Sequence, residues 1–502
     1  MKKVPFLVMA AAAVLTVSSC ASQKQLPENG IALQFMDTSV RPQDDFFTYV
    51  NGNWVKTVEI PSDKASWGSF NELREKTDEN SLAILNNILT EKYAEGTEGK
   101  KIQDLYSSFM NWDKRNADGI NPIKADLAKI DAIKTVADLQ KYLVEATPNG
   151  DNIFYMWRVG ADLKASNDNA IYLGGPALGL GKDYYQKENE ANTKTLAEYT
   201  KYVSSMLTVL GYQNANETAA KIVDLEKRLA KTLLTNEEGR DANKRYNPKT
   251  VSELSGLVKN VDLAGYLNQV GVKTDRVILG ELGYFKNFDA FVNEANLPLL
   301  KDYMKYHMLS GNAGVLDKKL DDMRFDFYGK FLQGQKEQRA MNKRGLEVVN
   351  GILGEAFGKL YVEKYFPAEA KEEMVTMVDY LKKAYHDHIS NLDWMSDETK
   401  VKALDKLSKF KVKIAYPDKW EDYSKLTVSP DSYFQNRQNI TTWNYEKNLE
   451  KIGKKVDKTK WGMTPQTVNA YYSASNNEIV FPAGILQAPF FDFKADPAVN
   501  FG

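Results

Sequence analysis

Three histidines, His307, His386 and His388, and one cysteine, Cys20, are all the imidazole and thiol chemistry in 502 residues. A zinc hydrolase of the H-E-x-x-H type needs two histidines four apart on one helix, so that both rings face one metal and the glutamate between them acts as base. That spacing is absent here: His307 is followed by Met308-Leu309-Ser310-Gly311, while His386 and His388 stand two apart on a predicted helix and point roughly opposite ways. His388 falls on the apolar stripe of that helix and His386 off it, so one is expected packed and the other solvated. A single thiol rules out a disulfide framework and a thiolate zinc cluster, which both need at least two sulfurs. Gly68-Ser69 beside Trp67 lacks the second glycine of a nucleophile elbow. The glycine-rich stretches Gly174 to Lys182 and Gly351 to Lys359 lack the spacing of a phosphate loop and the Ser or Thr after its lysine. Among 67 acidic residues no acid-base pair can be singled out without geometry.

The elements that would have to position any chemistry are more legible. With 66 basic against 67 acidic side chains the chain has no global field to attract nucleic acid, and 43% hydrophobic residues with 11% aromatics describe a soluble, folded protein with large cores. The length suits two large domains. At the N-terminus Lys2 and Lys3 precede an apolar run, Val4 to Val17, too short for a permanent span and suited to export. Val17-Ser18-Ser19-Cys20 then resembles a bacterial lipobox, and the sole cysteine occupies its lipidated position. The reading is a signal peptide over 1–20, a tether over 21–40, and an exported protein anchored in the cell envelope by two acyl chains on Cys20.

From about Asp45 to Trp420 the dominant period is helical. Helices are predicted at Ser81 to Leu89, Ile123 to Leu143, Ala219 to Leu234 and Lys371 to Leu392, the third with Ile222, Leu225, Leu229 and Leu233 on one stripe. Thr250 with Glu253 reads as a capping box, and Leu173 to Lys182 as a loop. After about Pro417 the character changes: Tyr423 to Thr464 reads as a polar connection, and Val468 to Tyr472 with Glu478 to Phe481 as a hairpin around Ser473 to Asn477.

Several stretches together resemble the neprilysin and endothelin-converting-enzyme family of zinc metalloendopeptidases. They are Asp45 to Trp54 with Ile60-Pro61 and Trp67 to Leu73; Arg245-Tyr246-Asn247; Val349 to Tyr361; Tyr416 to Trp420; and Val468 to Tyr472 leading into Phe481 to Gln487. The resemblance implies a mainly α fold in which a large helical domain, 41–425, caps a thermolysin-like catalytic domain beginning at 426–502, with peptides as substrates and zinc as the cofactor of the complete enzyme. It implies that Asn469 and Ala470 lie on the edge strand of the catalytic domain and hydrogen-bond the substrate backbone, a role an exposed strand edge performs by accepting the peptide as another strand. Ser66 stands where the mammalian member carries an arginine that reads a substrate's terminal carboxylate, and Ala474 replaces a usual hairpin proline.

The family's zinc motif would follow the segment ending at Gly502, so the chain reads as truncated before its metal ligands, with no zinc bound and no peptidase activity by itself. On this reading Phe490, Phe491, Phe493 and Phe501 are left uncovered and the segment after about 425 is expected to stay mobile. The alternative is a non-catalytic lipoprotein that keeps the helical cap and the Asn469 edge to bind peptides or a partner protein.

Overall fold

The computed structural model describes residues 31–502; the signal segment, Cys20 and the first half of the tether lie outside the described residues. These fall into two compact units, 31–58 with 494–502, and 59–493. In the smaller unit Asp45 caps helix Phe46–Thr57, its carboxylate accepting the Thr48 N–H at 2.9 Å. Gly52 lies on the buried side of that helix because a Cβ there would stand 2.6 Å from the Asp37 Cβ.

The larger unit is mainly helical, as expected. Helices Glu190–Val209, Ala215–Ala230 and Leu297–Asn312 pack together, and Ile222, Leu225 and Leu229 of the predicted stripe are buried between them. Where one helix was expected from Ile123 to Leu143 there are two, Asn121–Ala132 and Val136–Ala146. Thr135 makes the break: its hydroxyl accepts the Asp138 N–H and the Asp138 carboxylate accepts the Thr135 N–H, a reciprocal cap that satisfies two donors at once. The box at Thr250 and Glu253 starts helix Val251–Leu257 as predicted.

Two small sheets complete the unit. The first has the order β1-β2-β4-β3, from β1 Trp157–Ala161, β2 Asn169–Leu173, β3 Asn247–Thr250 and β4 Arg276–Leu279. The second has the order β5-β7-β6, from β5 Lys411–Ala415, β6 Tyr471–Ser473 and β7 Glu478–Pro482, with β7 parallel to β5 and antiparallel to β6. The β6-β7 hairpin is the one read from the sequence, and Asn477 takes the left-handed backbone of its turn at φ 50°. A core of Leu73, Met374, Val378, Ile414, Val468 and Phe491, among others, lies against this sheet.

Four expectations are corrected. The stretch from Tyr423 to Thr464 contains an 18-residue helix, Tyr433–Glu450, which packs on helix Glu98–Met110 and buries Tyr433, Asn436, Ile440 and Trp443. The segment after 425 thus carries regular structure. Phe491 is buried and Phe493 packs against the same core, so only Phe490 and Phe501 of the four terminal phenylalanines are substantially exposed. His388 is exposed, because helix Ala368–Asn391 buries only Ala370, Met374 and Val378, and its stripe beyond Val378 faces outward. Among the described residues no helix is long and apolar enough to cross a membrane.

Candidate functional site

The residues that lead into β6 are held by an unusually close approach of backbone to helix. Gly354 and Gly358 stand one turn apart on helix Gly354–Tyr365, and a Cβ at either would meet the segment Thr464 to Gln466: 2.5 Å from Thr464 Cγ2 at the first, 2.7 Å from Gln466 Oε1 and from Pro465 Cδ at the second. Gly484 closes the other side, where a Cβ would lie 2.7 Å from the Gln466 carbonyl. Within this slot the Gln466 side-chain amide donates to the Gly354 carbonyl and to Asn350 Oδ1, both at 2.9 Å, and the Gly484 N–H donates to the Pro465 carbonyl at 2.7 Å. Val468 is then buried in the core beneath the sheet. The glycine-rich stretch that fails as a phosphate loop is a cradle for this approach.

Asn469 and Ala470 follow immediately. They occupy the two residues before β6 and not the strand proper, and β6 is the outer strand of its sheet. Asn469 is exposed; its backbone N–H donates to the Thr467 carbonyl at 3.1 Å and its side-chain Oδ1 accepts the Ala470 N–H at 2.9 Å. That internal bond fixes the carboxamide and leaves its Nδ2 hydrogens for another acceptor.

A cavity of about 400 Å³ adjoins this approach, with Gln466 and Val468 on one side and Arg74, Glu75, Asp78 and Arg339 on the other. The charges are mostly satisfied among themselves. Glu75 pairs with Lys64 at 2.6 Å and with Lys343, and Arg339 bridges Asp78 and Glu347. Burial raises the Glu75 carboxyl, but hydrogen bonds from Lys343 and Lys64 outweigh it and hold the group below its ordinary value. Arg74 stands over the Phe70 ring, 5.8 Å from its centroid, and forms no salt bridge among the described residues. Ser66 is exposed. Sequence reading missed Gln466 and Arg74; the pair of glycines four apart at Gly354 and Gly358 was the available signal for the first.

No metal centre is built by these residues. Among the described residues no three of His, Cys, Asp and Glu converge as ligands. His307 is tied up in the helical core, where its Nε2 lies 2.9 Å from Oε1 of the fully buried Glu226, whose carboxylate also accepts from the Tyr185 and Tyr199 hydroxyls at 2.7 and 3.1 Å. His386 and His388 are both exposed on helix Ala368–Asn391. The described side chains therefore do not fit a catalytic zinc.

Family models described as peptidase family M13 match residues 42–417 and 469–502. The chain belongs to peptidase family M13. The second match opens at Asn469, the residue that leads into β6. This M13 chain is 30% identical over 469 residues to the neutral endopeptidase of Lactococcus lactis subsp. lactis (strain IL1403), covering 92% of itself and 74% of that protein. It is 29% identical over 511 residues to endothelin-converting enzyme 1 of Bos taurus, covering 97% and 67%. Its structure is similar to that of the Mycobacterium tuberculosis zinc metalloprotease Zmp1 in complex with inhibitor, with a TM-score of 0.89, 34% identity, and 94% and 72% of the two chains covered. PepO from Lactobacillus rhamnosis HN001 shares the fold at a TM-score of 0.84 and 24% identity, with 92% and 74% covered.

Proposed function

We propose that this M13 chain is the peptide-binding part of a zinc-dependent metalloendopeptidase. The observation that carries the reading is the clamped approach to β6: Gln466 and two helical glycines hold the backbone, Val468 anchors it, and Asn469 and Ala470 are presented at an outer strand. A peptide in extended form adds to such an edge through main-chain hydrogen bonds, with the Asn469 Nδ2 hydrogens donating to a substrate carbonyl. Arg74, on the wall of the adjoining cavity, offers a cation for a substrate carboxylate. The names of the relatives, neutral endopeptidase and zinc metalloprotease, support the reaction class.

In this reading residues 41–425 form the helical cap and 426–502 open the catalytic domain, although β5, ahead of that boundary, pairs with β7 behind it. Zinc in the complete enzyme would polarise the scissile carbonyl and activate a water. The described residues have no ligand set for it, and the role we assign to them is peptide binding. Export and anchoring at the envelope would come from a lipid on Cys20.

The test has two parts. Elemental analysis of the purified 502-residue chain is expected to find no stoichiometric zinc, and no zinc-dependent cleavage of a short neutral peptide. That peptide is still expected to bind, and Asn469→Ala to weaken it about tenfold with an unchanged melting temperature, as for loss of one charge-free hydrogen-bond pair at a binding edge. Cleavage that depends on added zinc would overturn the first part, and unaltered binding by the variant the second. The alternative, a non-catalytic lipoprotein that binds peptides or a partner protein, shares the binding result and is favoured if zinc chemistry is absent from the native protein isolated from cells.

A further inference from the structure

The sheet that ends in β6 has a second end strand, β5, and that strand forms the floor of a groove. The Lys411 N–H donates to the Asn477 carbonyl and the Ala415 carbonyl accepts from the Ala483 N–H, both at 2.9 Å, and β5 runs parallel to β7. In a parallel pair both peptide groups of one residue address the same neighbour and alternate residues address opposite sides. Lys411, Lys413 and Ala415 therefore face β7, while Val412 and Ile414 turn their peptide groups to the open side. The Ile414 carbonyl is taken by the Tyr416 N–H at 3.0 Å. Among the described residues no hydrogen-bond partner takes the N–H and C=O of Val412 or the N–H of Ile414, which are placed for a further strand.

Beside this edge the groove has a volume of about 550 Å³. Val375 and Val378 of helix Ala368–Asn391 form one wall, and Thr459 and Trp461 line it as well. Its charge is one-sided: Lys371, Lys411, Lys413, Lys419 and Lys458 line it against Asp379 and Asp418. Only Lys413 is in a salt bridge among the described residues, with Glu478 at 3.0 Å, while the Lys458 ammonium donates to the neutral Asn167 Oδ1 and keeps its charge uncompensated. Lys371 stands 4.1 Å from the centre of the Tyr416 ring. Lysines on an end strand repel a neutral or basic strand that would pair there, but they attract one that carries carboxylates.

We propose that the β5 edge is a second peptide-binding site, which takes an acidic, extended segment as an added strand on Val412 and Ile414 with its carboxylates against Lys371, Lys411 and Lys458. It lies at the opposite end of the sheet from Asn469 and does not depend on the peptidase reading. The occupant follows from two features together, the free ladder groups and the excess of lysines around them that are in no salt bridge among the described residues.

Fluorescence anisotropy of the 502-residue chain with a labelled peptide of alternating Glu and Val tests this. Binding is expected to weaken with salt, to fall at least about tenfold in the double variant Lys411→Glu, Lys458→Glu, and to fall similarly in Val412→Pro, which removes the outward N–H while leaving the bonds to β7. Where circular dichroism shows Val412→Pro misfolded, the lysine variant decides. In the Asn469→Ala chain the lysine substitutions are expected to cause the same fall, because the two edges bind separately. Equal binding of a peptide of alternating Lys and Val, undiminished binding by the lysine variant, or a loss confined to Asn469→Ala would each overturn the proposal.

Discussion

At the scale of single residues, the buried polar groups decide more than the sparse histidines do. Glu226 is fully buried and in no salt bridge with a lysine or arginine among the described residues, and its carboxylate is met by His307, Tyr185, Tyr199 and the Gly179 N–H at 3.2 Å. Glu226→Ala strands those donors together, and a loss of about 3 kcal/mol or more in denaturant unfolding is expected; a loss near zero would show that the network contributes nothing. Asp151 behaves in the opposite sense. Burial, aided by the nearby Asp126 carboxylate and opposed by Lys129, pushes it from 3.8 up to about 7. The folded chain therefore keeps a proton that the unfolded chain has lost between about pH 4 and about pH 7, so stability falls as pH rises through that window and the penalty is complete above it. Asp151→Asn is expected to be more stable than the unaltered chain by about 1 to 3 kcal/mol at pH 8 and equal to it near pH 4, which thermal melts across the range would check. Neither residue was visible as special in the sequence, because a glutamate on a helix stripe and an aspartate after a turn look alike whether or not other elements bury them.

At the scale of elements, sequence signals decide the structure where the physics is local. The Thr250 box and the Asn477 turn are settled by hydrogen bonds and backbone preference within a few residues. At Thr135 a cap of the same kind divides the apolar period that runs from Ile123 to Leu143. Helix Tyr433–Glu450 is hidden in the sequence because its buried face includes Tyr433, Asn436 and Trp443, so that the apolar repeat is broken by polar and amphipathic residues. Asn436 is polar yet buried since it donates to Ser108 Oγ at 2.9 Å and to the Ser429 carbonyl at 2.7 Å, partners that are far in sequence or outside the helix. The site approach has the same character. Gly358→Val is expected to push Pro465 and Gln466 off the helix, to cost about 1 to 3 kcal/mol as an overpacked contact, and to weaken peptide binding with Asn469 intact. A variant that keeps both stability and binding would show that the glycines do not position β6.

At the scale of the whole molecule, the family is legible from stretches spread over the chain, and the fold is similar to that of the zinc metalloprotease Zmp1 at a TM-score of 0.89. The placement of Asn469 and Ala470 at the foot of an outer strand required coordinates, since the strand begins only at Tyr471. The apolar stripe of helix Ala368–Asn391 shows the limit from the other side: periodicity predicts His388 as packed, yet it is exposed together with Leu381 and Tyr385, because nothing among the described residues covers them. A pattern reports what a face can bury, and not what meets it. The central claim is that an extended peptide adds to the sheet at β6. Amide hydrogen exchange of the 502-residue chain, with and without an excess of a neutral extended peptide, tests it most directly. The account predicts slowed exchange across Ala470 to Ser473 and none gained at Val412; protection that leaves Ala470 to Ser473 unchanged would contradict it.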